Sequence, residues 1–251
     1  MTTPTPDGLW FRRYHPRPDA EARLICLPHA GGSATAYHRL SALLPAGVEA
    51  LSVQYPGRQD RRAEPCAATV TELADRLTPL LLPLADRPLI LFGHSMGATL
   101  GYEIARRLEH GHGILPRALY VSARRSPTSP RTETVHLLDD DGVIAEMRAL
   151  SGTASAVLDD EELLRMALPA IRADYRAAET HEHTPGPPVS CPVHALTGTE
   201  DPKATVEEVR AWSEHTTGPF TLHTFPGGHF YLTDHWQTLA HLLTAQPAPT
   251  A

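Results

Sequence analysis

The sequence has 251 residues, of which 41% are hydrophobic, and this suits one large α/β domain with a sizeable core. The formal net charge of -7 argues against a general nucleic-acid binder. No apolar run approaches the roughly 20 residues that span a bilayer, the N-terminus lacks a secretory pattern, and three scattered cysteines fit neither a disulfide framework nor a metal site. We therefore expect a cytoplasmic protein with reduced thiols.

Short apolar runs alternate with helical patterns along the chain. Strands are predicted at 24–28, 48–55, 88–92, 117–123, 191–198 and 220–225, with an edge strand within 9–15. Helical patterns lie at 33–44, 69–84, 97–110, 205–215 and 233–243, and Thr69 or Thr71 is the expected cap of the second. Apolar strands that alternate with helices predict a mostly parallel sheet covered on both faces, which is an α/β fold.

Residues 126–188 contain no strand-like run and interrupt this alternation. They hold two amphipathic helical patterns, the first with Asp140 or Asp141 as its expected N-cap. Asp159 and Glu162 have the spacing of a capping box for the second. Because ligands of parallel sheets bind outside the carboxyl ends of the strands, an insertion at this edge predicts a helical lid over a site. The alternative is a small structural subdomain.

The stretch LFGHSMGA, residues 91–98, places a serine between two glycines where an apolar strand gives way to a helix. A G-x-S-x-G turn in this context is typical of a nucleophile elbow, in which Ser95 is held on strained backbone above the sheet. The alternative is a tight turn that happens to contain serine. The rest of the sequence has to supply a base and an acid.

A serine hydroxyl needs a general base, and His229 is the best candidate. It follows the last predicted strand in FPGGHFYL, residues 225–232, so it lies at the same sheet edge as Ser95. His94 is adjacent to Ser95, and we expect its side chain to point away at the turn.

The base needs a carboxylate to fix its tautomer, and the stretch ALTGTEDP, residues 195–202, supplies Glu200 and Asp201 after another strand. Asp201 is the preferred acid, although an Asp-Pro turn is its alternative role. The chain order Ser95, Asp201, His229 is that of α/β-hydrolases, so a single α/β-hydrolase domain is predicted over residues 1–251.

An oxyanion hole is also required. One donor is expected to be the backbone N–H of Met96, the residue after the nucleophile. The other is expected from LPHAGGSA, residues 27–34, in which the Gly31 and Gly32 pair lets the backbone approach a substrate. We choose the Ala30 N–H as this second donor.

The motifs LPHAGGSA, YPGR, GHSMGA, TGTEDP and FPGGHFYL together resemble the type II thioesterases of polyketide synthase and nonribosomal peptide synthetase pathways. The resemblance runs over about residues 10 to 243, with the motifs in order. It implies a free-standing α/β-hydrolase with a helical lid, which hydrolyses acyl groups from the phosphopantetheine arm of acyl or peptidyl carrier proteins. It also implies catalytic roles for Ser95, Asp201 and His229, with Ala30 and Met96 as oxyanion donors.

A related layout places the triad acid after the strand that follows the nucleophile helix. Here that place reads Ser122, Ala123, Arg124, Arg125 and holds no carboxylate, which favours Asp201. The chain begins almost at the fold, with no carrier-domain segment before it, which fits a separate protein. We expect a monomer that uses no cofactor or metal and binds neither nucleic acid nor membrane.

Five arginines follow predicted strands near the expected mouth of the site, and a basic rim there would attract an acidic carrier protein. The alternative is that they are ordinary solvated side chains. The five are Arg58, Arg61, Arg62, Arg124 and Arg125.

Three other functions remain open at this stage. A small-ester or amide serine hydrolase would share the triad, and so would an acyltransferase or cyclase in which an alcohol or amine replaces water. A non-catalytic binding protein on a hydrolase scaffold is disfavoured, because all three triad residue types are present. The expected lid should enclose an apolar acyl chain, and Leu, Ile and Met on its helices suit that role.

Overall fold

The computed structural model describes residues 6–129, 131–151 and 161–245. Their strands form one seven-stranded sheet in the order β1-β3-β2-β4-β5-β6-β7. β1 is antiparallel to β3, and all other neighbours are parallel, which confirms the mostly parallel sheet and its edge strand. The strands are β1 Phe11–Arg12, β2 Ala22–Leu27, β3 Val48–Val53, β4 Leu89–His94, β5 Ala118–Ser122, β6 Val193–Gly198 and β7 Phe220–Phe225.

Helices cover both faces of the sheet. Alternate residues of a strand point to opposite faces, so Ile25 of β2 packs on the α3 and α4 side and Leu24 packs on the α2 and α8 side. The helices of the described residues are α1 Pro6–Trp10, α2 His38–Leu43, α3 Val70–Leu81, α4 Met96–Arg106, α5 Asp140–Ser151, α6 Glu161–Glu179, α7 Val206–Arg210 and α8 Trp236–Thr244. In the part of the chain so described, no helix has the length and apolarity to cross a bilayer.

The two predicted helices between β5 and β6 are present as α5 and α6, and we call residues 126–188 the insertion. Val143 and Ile144 of α5 pack with Leu164, Leu168 and Ile171 of α6 in a small apolar cluster. The two helices therefore bury their apolar stripes against each other beside the main sheet.

Helix caps follow the sequence in one case and differ in another. Thr69 caps α3 by accepting a hydrogen bond from the Glu72 N–H, as expected. The expectation of Asp140 or Asp141 as the cap of α5 is wrong, because the Asp139 carboxylate accepts the Gly142 N–H at 2.8 Å. A capping side chain reaches the N–H three residues later, so the cap is the residue before the first helical one. The expected capping box at Asp159 lies outside the described residues.

Candidate active site

Ser95 lies at the junction of β4 and α4. Its φ is 54° and its ψ is -116°, a conformation that costs a non-glycine residue strain energy. Its N–H donates to the Ser122 carbonyl at 2.8 Å, which ties the turn to β5. The strained turn predicted from G-x-S-x-G is present, and Ser95 lines a cavity at the carboxyl edge of the sheet.

The two glycines beside Ser95 are required by close packing of backbone. A Cβ on Gly93 would overlap the carbonyl group of Gly97, the second residue of α4. A Cβ on Gly97 would overlap the carbonyl oxygen of Leu27 at the end of β2. The start of α4 therefore lies against β2 and β4 at distances that exclude any side chain.

His229 and Asp201 meet at the same edge. The Nδ1–H of His229 donates to Asp201, with distances of 2.9 Å to Oδ2 and 3.1 Å to Oδ1. Both residues are buried, and Asp201 Oδ1 also accepts the Lys203 N–H at 2.8 Å. Donation from Nδ1 leaves Nε2 as the proton acceptor of the ring, and His229 lines the same cavity as Ser95. Glu200, the other candidate acid, is exposed.

His94 does not line the cavity that holds Ser95, as expected, but its side chain turns into the protein beside His229. Its ring is fully buried, and its centroid lies 5.2 Å from that of His229. Its Nδ1 is 2.9 Å from Ser122 Oγ, which in turn is 2.7 Å from the Tyr231 hydroxyl. The side chain turns inward because this buried polar chain gives it a partner. Burial, with the nearby histidines, holds the pKa of His94 well below its usual range, so the ring is neutral at neutral pH.

The loop after β2 presents Ala30 to the cavity. No group in the described residues accepts a hydrogen bond from the Ala30 N–H. Met96 is the first residue of α4, where backbone N–H groups lack a partner within the helix. The Gly31 N–H is not available, since it donates to Asp174 on α6. Two N–H groups thus fit the expected oxyanion hole.

The expected basic rim is wrong for three of its five arginines. Arg58, Arg61 and Arg125 are only 8%, 3% and 6% exposed, and each is bound to a carboxylate. Of the five, only Arg62 is exposed, and Arg124 and Arg125 line the cavity. The position of a charged side chain in a loop does not tell whether it is exposed. An ion pair with a carboxylate, near or distant in sequence, lets the side chain lie away from solvent. The three carboxylates are Asp174, Glu64 and Glu133, respectively.

The cavity beside Ser95 has a volume of about 50 Å³. Its surface is more apolar than polar, with Ala30, Leu150 and Phe230 among the apolar side chains, but it also carries several charged side chains. Within the described residues, Leu150 is the only Leu, Ile or Met of the insertion that contributes. Its charged residues are Arg124, Arg125, Glu133, Glu179 and Lys203.

Arg124 differs from the other charged residues of the cavity. Lys203 and Arg125 both bind Glu133, whereas Arg124 donates only to the Ala178 carbonyl, at 3.2 Å. Within the described chain it has no carboxylate partner. Burial, with the adjacent Arg125, lowers the pKa of Arg124 to about 10, so the guanidinium stays charged at neutral pH. No local sequence signal separates Arg124 from Arg125, since the difference lies in contacts with distant residues.

Comparison with known proteins agrees with the fold and the motifs. The profile of the thioesterase domain family matches residues 22–246. Thioesterase PikA5 of Streptomyces venezuelae is 52% identical over 250 residues, covering 97% of this chain and 89% of the relative.

Two solved structures are similar over nearly the whole chain. The type II thioesterase BorB from the borrelidin biosynthetic cluster is 56% identical with a TM-score of 0.89, covering 97% of this chain and 98% of that one. RedJ, a thioesterase of the prodiginine pathway in Streptomyces coelicolor, is 38% identical with a TM-score of 0.83, covering 90% and 85%. The chain therefore belongs to the thioesterase family and is a serine hydrolase with the α/β-hydrolase fold.

Proposed function

We propose that this enzyme hydrolyses acyl thioesters from the phosphopantetheine arm of carrier proteins, and so clears stalled or wrong acyl groups in polyketide or nonribosomal peptide synthesis. The observation that carries the proposal is the site itself. Ser95 on its strained turn shares one cavity with a buried His229–Asp201 pair. The substrate class is supported by the similarity to BorB, a type II thioesterase, across 97% of the chain.

The first step transfers the acyl group to the enzyme. Ser95 Oγ attacks the thioester carbonyl while Nε2 of His229 takes the hydroxyl proton. The Ala30 and Met96 N–H groups stabilise the negative charge that develops on the carbonyl oxygen. The carbon–sulfur bond then breaks, and the pantetheine thiol leaves with the proton from His229.

The second step releases the acyl group. His229 takes a proton from water, whose oxygen attacks the acyl-serine, and the proton passes to Ser95 Oγ as the acid leaves. Asp201 keeps the proton on Nδ1 throughout, so that Nε2 remains the atom that exchanges it.

The test compares three substrates with the same short acyl group: its thioester with a carrier protein, its thioester with free pantetheine, and an oxygen ester. The carrier-protein thioester is expected to give the highest kcat/KM and to yield the free acid. Asp201→Asn, which preserves the shape of the side chain, is expected to lower kcat by about 10⁴-fold through the wrong histidine tautomer. Preference for the oxygen ester would indicate a small-ester hydrolase, and an ester, lactone or amide product would indicate acyl transfer.

A further inference from the structure

A single carboxylate connects the insertion to the loop that carries Ala30. Asp174 of α6 accepts the Gly31 N–H at 2.8 Å through Oδ2. Arg58, in the loop after β3, binds the same carboxylate in a two-pronged pair, 2.5 Å from Nη1 to Oδ2 and 2.8 Å from Nη2 to Oδ1. Arg58 Nη1 also donates to the Gly32 carbonyl at 2.9 Å. Three segments that are distant in sequence therefore meet next to Ala30.

The pair between Arg58 and Asp174 is buried, with side chains only 8% and 4% exposed. Burial by itself lowers the pKa of Arg58, but the Asp174 charge and hydrogen bonds raise it above its usual value overall. A buried charge left without its partner is unfavourable, so the two side chains hold their positions as a unit. Paired charges with this geometry are among the stronger hydrogen bonds of proteins.

The helix contacts the same loop a second time through packing. Gly31 has a φ of 76°, a conformation that favours glycine. A Cβ at Gly31 would lie 2.8 Å from Cγ1 of Ile171, which precedes Asp174 by three residues on α6. Ile171 and Asp174 thus share one face of the helix and hold Gly31 by contact and by hydrogen bond.

The two ends of the loop are fixed by the body of the fold. The Tyr55 hydroxyl donates to the Pro28 carbonyl at 3.1 Å, and Gln54 Oε1 accepts the Ala34 N–H at 3.0 Å. The middle of the loop has one internal bond, from the Gly32 N–H to the His29 carbonyl at 2.9 Å, and is held to α6 and Arg58 through Gly31 and Gly32. The His29 carbonyl and the Ala30 N–H belong to one peptide plane, so the direction of the Ala30 N–H follows the position of Gly32 and, through it, Arg58 and Asp174.

We propose that Asp174 and Arg58 are positioning residues that complete the oxyanion hole only while α6 is seated against the loop. When α6 lifts to admit an acyl group, the Gly31 N–H loses its acceptor and the Ala30 N–H loses its alignment. Attack by Ser95 then waits for α6 to return, which couples enclosure of the substrate to catalysis. The inference rests on the proposed use of Ser95 and Ala30, but not on the identity of the acyl carrier.

The test therefore uses p-nitrophenyl acetate, a small ester that needs the triad and the oxyanion hole but no contact with a carrier protein. Asp174→Asn keeps an acceptor oxygen but removes the charge, and Arg58→Met removes the two-pronged contact. Each is expected to lower kcat by about 100-fold, the scale of losing one oxyanion donor, with KM changed less than threefold. The kcat of the double variant is expected to be no lower than that of the less active single variant, since the two residues act as a unit.

Arg172→Met is the matched control. Arg172 also lies on α6 and binds Asp140 and the His136 carbonyl, both at 2.8 Å, so it joins α6 to the start of α5 without touching the Ala30 loop. Its kcat is expected to stay within threefold of wild type. A loss of kcat in Asp174→Asn or Arg58→Met no larger than in Arg172→Met would overturn the proposal.

A second measurement distinguishes a local change in the loop from general unfolding of the variant. Hydrogen exchange of residues 29–32 is expected to speed up in Asp174→Asn while exchange in β4 and β5 stays at the wild-type rate. Faster exchange in all three segments together would show general unfolding and would contradict a local positioning role. If wild type hydrolyses the small ester but no carrier thioester, the proposed function fails while this comparison still stands.

Discussion

At the scale of single residues, Arg124 and Arg125 are neighbours in sequence, but only Arg125 has a carboxylate partner among the described residues. Arg125 binds Glu133 in a buried pair, whereas Arg124 faces the cavity with only a carbonyl acceptor. A cation that is partly removed from water without a carboxylate partner lowers stability, and such a residue is expected where its charge is used. We infer that the charge of Arg124 serves the substrate rather than the fold.

Matched substitutions test this difference. Arg125→Met is expected to lower the free energy of unfolding by about 3 kcal/mol, because Glu133 loses a buried partner. Arg124→Met is expected to leave that free energy equal or higher, while kcat/KM for a short acyl thioester falls about tenfold with the loss of a charged hydrogen bond. Urea unfolding and steady-state kinetics measure both effects. Equal destabilisation by the two variants would contradict the assignment.

At the scale of elements, the junction of β4 and α4 leaves no room for a side chain at its two glycines. Gly93→Ala is expected to give a protein that does not fold, because its Cβ would overlap backbone rather than a movable side chain. Gly111→Ala is the control, since nothing lies within 4 Å of a Cβ at that position. Circular dichroism and thermal unfolding of the two variants give the comparison. A folded Gly93→Ala with a wild-type melting temperature would rule out the close approach.

Elements whose signals are local could be predicted from the sequence. Every predicted strand is present, β7 with the expected bounds Phe220–Phe225, because apolar runs between turn residues are sufficient to identify buried strands. The Ser95 turn was predictable because the G-x-S-x-G motif between an apolar strand and a helix is itself local, although one of its glycines, Gly97, packs on the distant Leu27 carbonyl. The cap of α5 was misplaced by one residue among three consecutive aspartates, where sequence alone does not fix the boundary.

Features that depend on long-range contacts could not be predicted. Arg58 and Asp174 are 116 residues apart, and nothing near either one indicates that they meet. The inward orientation of His94 likewise depends on Ser122 and Tyr231. The placement of Ser95, Asp201 and His229 at one edge was predictable, because each follows a strand of one parallel sheet and the carboxyl ends of such strands share an edge.

At the scale of the whole molecule, partly buried histidines make stability depend on pH. Burial, and for each a neighbouring histidine, lowers the pKa of His29 and of His194 to about 4. The unfolded chain binds protons at these positions near pH 6.5, while the folded protein does not until about pH 4. Stability is therefore full above pH 6.5 and is lost as the pH falls toward 4.

Urea unfolding between pH 7 and pH 5 measures this effect. The free energy of unfolding is expected to fall, with each such histidine contributing a limiting slope of about 1.4 kcal/mol per pH unit. His194→Gln is a control away from the cavity. It is expected to reduce the slope by up to the contribution of one histidine, about 1.4 kcal/mol per pH unit. A free energy that is constant from pH 7 to pH 5 would contradict the burial of neutral histidines.

The central claim is that Ser95 is the nucleophile that hydrolyses carrier-bound acyl groups, and it is tested most directly by replacing that residue. The measurement is the rate of acid release from a short acyl-carrier protein by wild type and by Ser95→Ala at equal concentration. The account predicts a loss of at least about 1,000-fold, as expected when a triad nucleophile is removed. Hydrolysis by Ser95→Ala at the wild-type rate would contradict it.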